Sequence, residues 1–111
     1  MENFSIEKFD ELFNSILKLG SVEDCRKFFE DVCTIKELED ITQRLEVAKL
    51  LKSKKNYQEI SKLTGASTAT ISRVNKCLNY GKGGYNIVLE QKKDNWYEFR
   101  ISFKRRWKSR F

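Results

Sequence analysis

Apolar residues in the first half of the chain recur with the period of an α-helix. Five of them within residues 9–17 are spaced at i, i+3 and i+4, which predicts a first helix near residues 5–19 that stops at Gly20. Two further stripes of the same period follow, one after Ser21 and a longer one after Thr34. Proline is absent from the 111 residues and glycine occurs only five times, so the pattern predicts an all-α fold rather than a turn-rich β-sandwich.

Polar residues at the starts of the second and third stripes support these helix boundaries. Ser21 with Asp24 resembles a capping box, although Asp stands where Glu is preferred. Thr34 with Glu37 has the preferred residues and predicts a long helix that runs through Leu51.

The composition gives little support to an enzyme. Histidine, the commonest general base and metal ligand, is absent. The three cysteines form no CxxC pair and are odd in number, so we expect neither a zinc site nor a disulfide framework, and a reducing cytoplasm fits. No nucleophile–base pair is visible, so we predict no catalytic residue, no metal and no cofactor. No apolar run approaches the roughly 18 residues that a membrane-spanning helix needs.

Charge is distributed unevenly along the chain. Residues 1–40 carry 5 basic and 11 acidic side chains, a net charge of −6. Residues 41–91 carry 9 and 3, and residues 92–111 carry 8 and 2, so each of these parts has a net charge of +6. An acidic part followed by two basic parts suggests that one face meets a polyanion while another meets protein or solvent.

The segment at residues 57–78, YQEISKLTGASTATISRVNKCL, has the spacing of a helix-turn-helix. Gly65 lies where a first helix must end and turn sharply, a position that favours the tolerance of glycine for positive φ. Ser67 or Thr68 can cap the second helix. An ordinary helical hairpin is the alternative. The outward positions of the second helix, however, do not carry the mixture of Glu, Lys and Ala that is typical of a solvated face.

Those outward positions carry short hydroxyls, a methyl group and long cations, which suit phosphate oxygens, thymine methyls and base edges. We therefore predict that the chain binds double-stranded DNA. The predicted contact residues are Gln58, Lys62, Ser67, Thr68, Ala69, Thr70, Ser72, Arg73 and Lys76.

The stretch ITQRLEVAKLL at residues 41–51, followed by this helix-turn-helix, resembles the Trp repressor superfamily. Within it, the likeness is greatest to the Trp-repressor-related YerC/YecD group of bacterial proteins, and it covers roughly residues 5–91. The resemblance implies a helical domain at residues 1–91 that forms an intertwined homodimer. It also implies a cytoplasmic, sequence-specific transcriptional regulator, expected to be a repressor, whose paired recognition helices reach successive major grooves.

The resemblance further implies an effector site. The positions that match the tryptophan-binding residues of the family are Thr34, Arg44, Thr70 and Arg73. Val74 stands where tryptophan-responsive members have glycine, and its two methyls are expected to fill the slot for the indole ring, which disfavours L-tryptophan as co-repressor. Arg44 and Arg73 could instead bind another small anion, pair with Glu46 or Glu59, or contact phosphate.

The aromatic side chains near the N-terminus also favour a dimer. Five phenylalanines give a domain of this size a large amount of apolar surface to bury: Phe4, Phe9, Phe13, Phe28 and Phe29. Burial against a second copy would remove these rings from water, and two-fold dimers are the commonest assembly.

The last 20 residues, at 92–111, form a basic aromatic tail to which the resemblance does not extend. Its apolar residues from Tyr97 to Phe103 alternate with polar ones, which is the period of a strand. Three interpretations are open: an arm that binds the DNA backbone, a segment that binds a membrane surface or a partner, and an extension that is disordered in isolation. The alternative function is accordingly a helical interaction module whose tail carries the contact.

Overall fold

The structure is a computed structural model that describes residues 6–90. Six helices occupy this range: α1 (Ile6–Ile16), α2 (Val22–Val32), α3 (Ile35–Lys52), α4 (Tyr57–Thr64), α5 (Thr68–Tyr80) and α6 (Gly84–Leu89). Residues 6–90 contain no strand, and the all-α prediction is confirmed. The predictions for the tail at 92–111 fall outside the described residues.

The chain divides into two compact units, and the boundary lies within α3, between Ile41 and Thr42. The first unit contains α1, α2 and the start of α3. The second contains the rest of α3 together with α4, α5 and α6. No helix within residues 6–90 is long and apolar enough to cross a membrane.

The first helix is shorter than its apolar stripe predicts. It ends at Ile16, and the N–H groups of Lys18 and Leu19 donate to carbonyls three residues back, at 3.1 and 3.0 Å. Gly20 does not adopt positive φ, so the prediction that it stops the helix is wrong. Its N–H instead donates to a carboxylate oxygen of Asp24 at 3.3 Å, at the start of α2.

Side-chain caps begin α2 and α3 where the sequence predicts them. The Ser21 hydroxyl accepts from the N–H of Asp24 at 3.0 Å. Thr34 and Glu37 form a reciprocal pair, in which the Thr34 hydroxyl accepts from the Glu37 N–H at 3.1 Å and the Glu37 carboxylate accepts from the Thr34 N–H at 2.8 Å. Both satisfy N–H groups that the first turn of a helix leaves without partners.

No residue of α1 or α2 is buried. The rings of Phe28 and Phe29 meet edge to face with centroids 5.3 Å apart, yet both remain only half-buried. Phe13 is 54% exposed and Leu17 is 80% exposed. The first unit therefore presents to solvent much of the apolar stripe that its sequence encodes.

The buried core lies in the second unit. Six residues form it: Val47, Ala48, Ile60, Ala66, Ile71 and Val74. Side chains from α6, Tyr85 and Leu89, pack against this cluster together with others from α3, α4 and α5. The helix-turn-helix is thus held by a core that draws on every helix of its unit.

Candidate nucleic-acid interface

The turn between α4 and α5 depends on the backbone conformation of Gly65. This residue has φ of +76°, in the left-handed region, and its N–H donates to the Ser61 carbonyl at 2.8 Å. A Cβ at this position would meet nothing closer than the Gln43 amide nitrogen at 4.0 Å. Glycine is therefore favoured here by its conformational freedom and not by lack of space.

Hydroxyl groups hold the turn that follows α4. The Ser61 hydroxyl donates to the Ala66 carbonyl at 2.8 Å. The Thr64 hydroxyl donates to the Ile60 carbonyl at 2.7 Å and accepts from the Ala66 N–H at 3.1 Å. These bonds satisfy backbone groups that the turn would otherwise leave without partners, and they define the path by which the chain enters α5.

The long helix also holds this turn. The amide nitrogen of Gln43, in α3, donates to the Thr64 carbonyl at 3.2 Å in a part-buried contact. Thr64 is the last residue of α4, where carbonyls lack helical partners. The bond therefore connects α3 to the point at which α4 gives way to α5.

The recognition helix α5 begins with a cap that uses Ser67 and Thr70. The Ser67 hydroxyl accepts from the Thr70 N–H at 3.1 Å and donates to the Thr70 hydroxyl at 3.1 Å. Of the two predicted caps, Ser67 or Thr68, the structure thus selects Ser67. Thr68 lies exposed in the first turn of the helix.

The two faces of α5 differ sharply in exposure. Ile71 and Val74 are buried in the core. The opposite side carries four exposed residues spaced at i, i+3, i+4 and i+7, so they form one stripe along the helix. This exposed stripe consists of Ala69, Ser72, Arg73 and Lys76.

Two predicted contact residues lie on α4. Gln58 and Lys62 are four residues apart and both exposed, so they share a face of that helix. Asn56 caps α4: its side-chain oxygen accepts from the Glu59 N–H at 2.9 Å, and its amide donates to the Glu59 carboxylate at 3.1 Å. This cap orients the start of the helix that precedes the turn.

Three cations of the predicted interface carry no counter-ion on the protein. Lys62, Arg73 and Lys76 are exposed and form no ion pair within residues 6–90. Their charges are therefore available to phosphate groups, whose neutralisation releases condensed counterions.

The proposed pairing of Arg44 or Arg73 with Glu46 or Glu59 is wrong for the described part of the chain. Glu59 is engaged by Asn56 and lies 4.0 Å from the ammonium of Lys55. Neither guanidinium group has an acidic partner there. Their remaining predicted roles are contacts with phosphate or with a small anion.

The four positions matched to an effector site do not all lie in one unit. Arg44 is exposed on α3, Arg73 is exposed on α5, and Thr70 is half-buried beside the Ser67 cap. Thr34 belongs to the first unit and caps α3. Val74 is 1% exposed and packed in the core, so its methyls occupy space within the helix-turn-helix. No group of residues suited to hold a metal ion occurs in the described range.

Two residues that matter to the interface were not predicted. Gln43 reaches a turn 21 residues further along the chain, and no local pattern announces such a contact. Asn56 could have been found, because Asn followed three residues later by Glu59 has the spacing of a helix cap.

The capped turn and exposed stripe define a helix-turn-helix protein of the kind that places its second helix in the major groove. Residues 7–93 match the sequence model of the Trp repressor protein family, and the chain belongs to that family. The predicted resemblance is therefore confirmed. The family consists of regulatory DNA-binding proteins, which also confirms the prediction that the chain is not an enzyme.

Individual relatives agree with this assignment. The uncharacterised protein YerC of Bacillus subtilis (strain 168) is 51% identical over 88 residues, which cover 79% of this chain and 85% of YerC. A TrpR-like protein from Eubacterium eligens ATCC 27750 superposes with a TM-score of 0.74 at 48% identity, over 79% of this chain and 91% of that chain. A proposed Trp repressor from Staphylococcus aureus superposes with a TM-score of 0.71 at 44% sequence identity, over 78% of this chain and 92% of that chain.

Proposed function

We propose that this protein is a sequence-specific transcriptional regulator that binds double-stranded DNA as a homodimer and acts as a repressor. The observation that carries the proposal is the exposed stripe of α5. Its opposite face is locked in the core by Ile71 and Val74, so the helix cannot turn the stripe inward without exposing these apolar side chains to water. A helix anchored in this way can lie along base pairs at a defined angle.

The residues of the interface divide by chemistry. Lys62, Arg73 and Lys76 can neutralise phosphates, which gives affinity that falls with salt. Ala69, Thr68 and Ser72 are short enough to approach base edges, where a methyl favours thymine and a hydroxyl accepts or donates a hydrogen bond. Arg73 can also reach guanine, so it is the strongest candidate for direct base recognition.

Exposed apolar side chains of the first unit support the homodimer. Phe13, Leu17, Val22, Val32 and Ile35 are each more than half exposed. A second copy that covers them would remove this apolar surface from water, at about 25 cal/mol per Å². A two-fold dimer would also present two recognition helices to two half-sites.

The exposed guanidinium groups support a small anion as effector. Arg44 and Arg73 have no acidic partner among the described residues, and a carboxylate or phosphate is the natural ligand of an arginine fork. The buried position of Val74 argues against L-tryptophan in this role.

Selection of bound sites from random duplex, followed by titrations on the selected site, tests the proposal. We expect a two-fold symmetric consensus. Arg73→Gln should weaken binding about 5- to 150-fold, the equivalent of 1–3 kcal/mol, and relax the preference at one position of each half-site. Arg26→Gln removes the same charge from an exposed position of α2 and should leave affinity unchanged.

Two results would contradict the proposal. One is the absence of duplex binding at low salt by the intact chain. The other is an equal loss of affinity in Arg73→Gln and Arg26→Gln, which would show that net charge and not the exposed stripe governs binding.

A further inference from the structure

An open groove lies in the second unit, between the end of α3, one side of α5 and α6. Its volume is about 560 Å³, a size typical of small-molecule sites. Leu51 and Leu78 supply its apolar part, while most of the other lining side chains are lysines and asparagines. The lining residues of α5 lie outside the exposed stripe, and the positions matched to the tryptophan site lie outside the groove. The groove is therefore distinct from both sites described above.

Lys54 lines this groove in a backbone conformation that favours glycine. Its φ is +65°, and within residues 6–90 no other residue except glycine has positive φ. Its N–H donates to the Leu51 carbonyl and the N–H of Lys55 donates to the Leu50 carbonyl, each at 3.1 Å, which are the bonds of a helix that ends at a C′ glycine. A side chain destabilises this conformation, so the end of α3 does not require a lysine here.

The amide of Asn86 is the second destabilising feature of the groove. Its side-chain oxygen is buried without a hydrogen-bond partner, and no other side-chain nitrogen or oxygen of the described residues is in that condition. A buried acceptor without a partner destabilises a fold, whereas an apolar side chain of similar shape would not. The amide nitrogen of the same side chain is accessible and donates to no described residue.

Both destabilising features line one groove, and neither occurs elsewhere among residues 6–90. Strained backbone and unsatisfied polar groups concentrate at sites of binding or catalysis. The groove therefore has the properties of a site whose side chains serve a ligand and not the stability of the fold.

The charges of the groove indicate the charge of its ligand. Two lysines and one glutamate line it, and the glutamate, Glu90, pairs with Lys52. Lys54 is exposed and has no ion pair within residues 6–90, so one positive charge is left without a counter-ion. An ammonium and an amide N–H are donors suited to a carboxylate.

Asn79 adds an acceptor to the groove. Its amide nitrogen donates to the Asn75 carbonyl at 3.0 Å and to the Asn75 side-chain oxygen at 3.3 Å. These bonds hold the amide and leave its own oxygen without a donor in the described part of the chain. A hydroxyl or amino group of a ligand can supply that donor.

We propose that this groove binds a small organic carboxylate that has a single net negative charge and also carries a hydroxyl or amino group. The ammonium of Lys54 and the amide nitrogen of Asn86 donate to the carboxylate, and the side-chain oxygen of Asn79 accepts from the hydroxyl or amino group. Leu51 and Leu78 contact the carbon chain. The inference goes beyond the proposed function and does not rest on DNA binding.

Side-chain amide NMR of the full ¹⁵N-labelled chain tests the site directly. The probes are L-aspartate, L-glutamate and D-gluconate, each of which has a single net negative charge, added at constant ionic strength. With at least one of them, the amide signals of Asn79 and Asn86 should shift along a saturable curve. The signals of Asn14 in α1 and Asn56 before α4 should stay constant, because these side chains lie outside the groove. L-glutamine, which has no net charge, should produce no saturable shift over the same range.

Two NMR results would overturn the inference. One is the absence of a saturable shift of the groove asparagines with any of the three carboxylates. The other is an equal response to L-glutamine, which would show that the charge of Lys54 does not select the ligand.

Two substitutions separate ligand binding from folding. Lys54→Gly and Asn86→Leu each remove a proposed ligand contact together with a destabilising feature of the free protein. Each should weaken binding of the carboxylate about tenfold or more. Each should also unfold on heating at the same temperature as the wild type or a higher one. A variant that merely misfolds would lose stability together with binding.

Lys82→Gly is the matched control. It removes the same charge from an exposed position between α5 and α6 that does not line the groove and does not have positive φ, so carboxylate binding should be unchanged. Equal losses of affinity in Lys54→Gly and Lys82→Gly would overturn the inference, since net charge would then govern binding. A lower unfolding temperature in Asn86→Leu would also overturn it, because the amide would then serve the fold. None of these measurements involves DNA, so their failure would leave the proposed function standing.

Discussion

The hydroxyl of Ser67 is hydrogen-bonded to both the backbone N–H and the hydroxyl of Thr70, each at 3.1 Å. The first bond is a helix cap, and the second directs the Ser67 proton toward a neighbouring side chain. Ser67 is also exposed at the start of the recognition helix. One residue therefore links the stability of α5 to the chemistry that DNA would meet.

Two substitutions at Ser67 should separate these roles. Ser67→Ala removes the cap and should lower the free energy of unfolding by about 1 kcal/mol, as measured by denaturant unfolding. Ser67→Asp preserves a capping oxygen but places negative charge beside the duplex, so stability should remain near that of the wild type while DNA affinity falls. An alanine variant as stable as the wild type would contradict the assigned cap.

Gly65→Ala should destabilise the protein through its backbone. A left-handed conformation costs a residue with a Cβ about 1–2 kcal/mol, and the open space around Gly65 excludes a steric clash as the cause. Gly65→Asn should lose less, because asparagine tolerates positive φ better than alanine does. Thermal unfolding of the two variants measures this difference in stability. Equal losses of stability in Gly65→Ala and Gly65→Asn would indicate that packing and not backbone strain is the cause.

Sedimentation at micromolar concentration should give a mass near twice 13.2 kDa, because the first unit exposes apolar side chains. Phe13→Glu should shift the equilibrium toward monomer, since it places a charge on that surface. Asn14→Glu introduces the same charge at the next residue of α1, outside its apolar stripe, and should leave the dimer intact. A wild-type chain that sediments as a monomer would contradict the proposed homodimer.

Calorimetry with L-tryptophan should show no binding at millimolar ligand. The side chain of Val74 is buried among the core residues. The resemblance described above matches this position to a glycine of tryptophan-responsive members. Inserting an indole ring there would displace packed methyl groups. A saturable isotherm would contradict the expectation that Val74 excludes L-tryptophan.

The cap of α3 should weaken in acid. Hydrogen bonds from the backbone N–H and then the side chain of Thr34 lower the pKa of Glu37 below its ordinary value of 4.5. Because the folded pKa is depressed, the stabilising contribution is complete above 4.5 and is lost as pH falls through the lowered value. Glu37→Gln keeps a capping side chain but cannot titrate.

Two measurements test this pH dependence. Carboxyl NMR should show Glu37 titrating below its ordinary range. Unfolding at decreasing pH should show a smaller acid loss in Glu37→Gln than in the wild type. If the two proteins lose stability in parallel, the carboxylate of Glu37 does not contribute.

Local features of the fold could be predicted from the sequence because they depend on short spacings. The Thr34 and Glu37 cap, the turn at Gly65 and the cap at Ser67 each involve residues within three or four positions of one another. The end of α1 could not be placed in this way, because an apolar stripe indicates which face is apolar and not where the hydrogen bonds stop. Leu17 continues the stripe although the helix has ended at Ile16.

The residue types and outward positions of the candidate site could be predicted from the sequence, but its long-range side-chain contacts could not. Burial of Ile71 and Val74 follows from helical period, and it leaves Ser72 and Arg73 outward. The bond from Gln43 to Thr64 spans 21 residues and depends on how α3 packs on the turn. Of the three alternatives for Arg44 and Arg73, pairing with Glu46 or Glu59 does not occur among the described residues, because proximity in sequence does not establish that two side chains meet.

The bond from Gln43 to Thr64 also has a consequence for the turn. Gln43 lies only two residues past Ile41, where the first compact unit ends, and it holds the last carbonyl of α4. Val47 and Ala48 of the same helix are buried in the core that also holds α5, so α3 is connected to the helix-turn-helix by this bond and by apolar packing. The turn that leads into the recognition helix is therefore positioned by a polar contact with α3 as well as by the core.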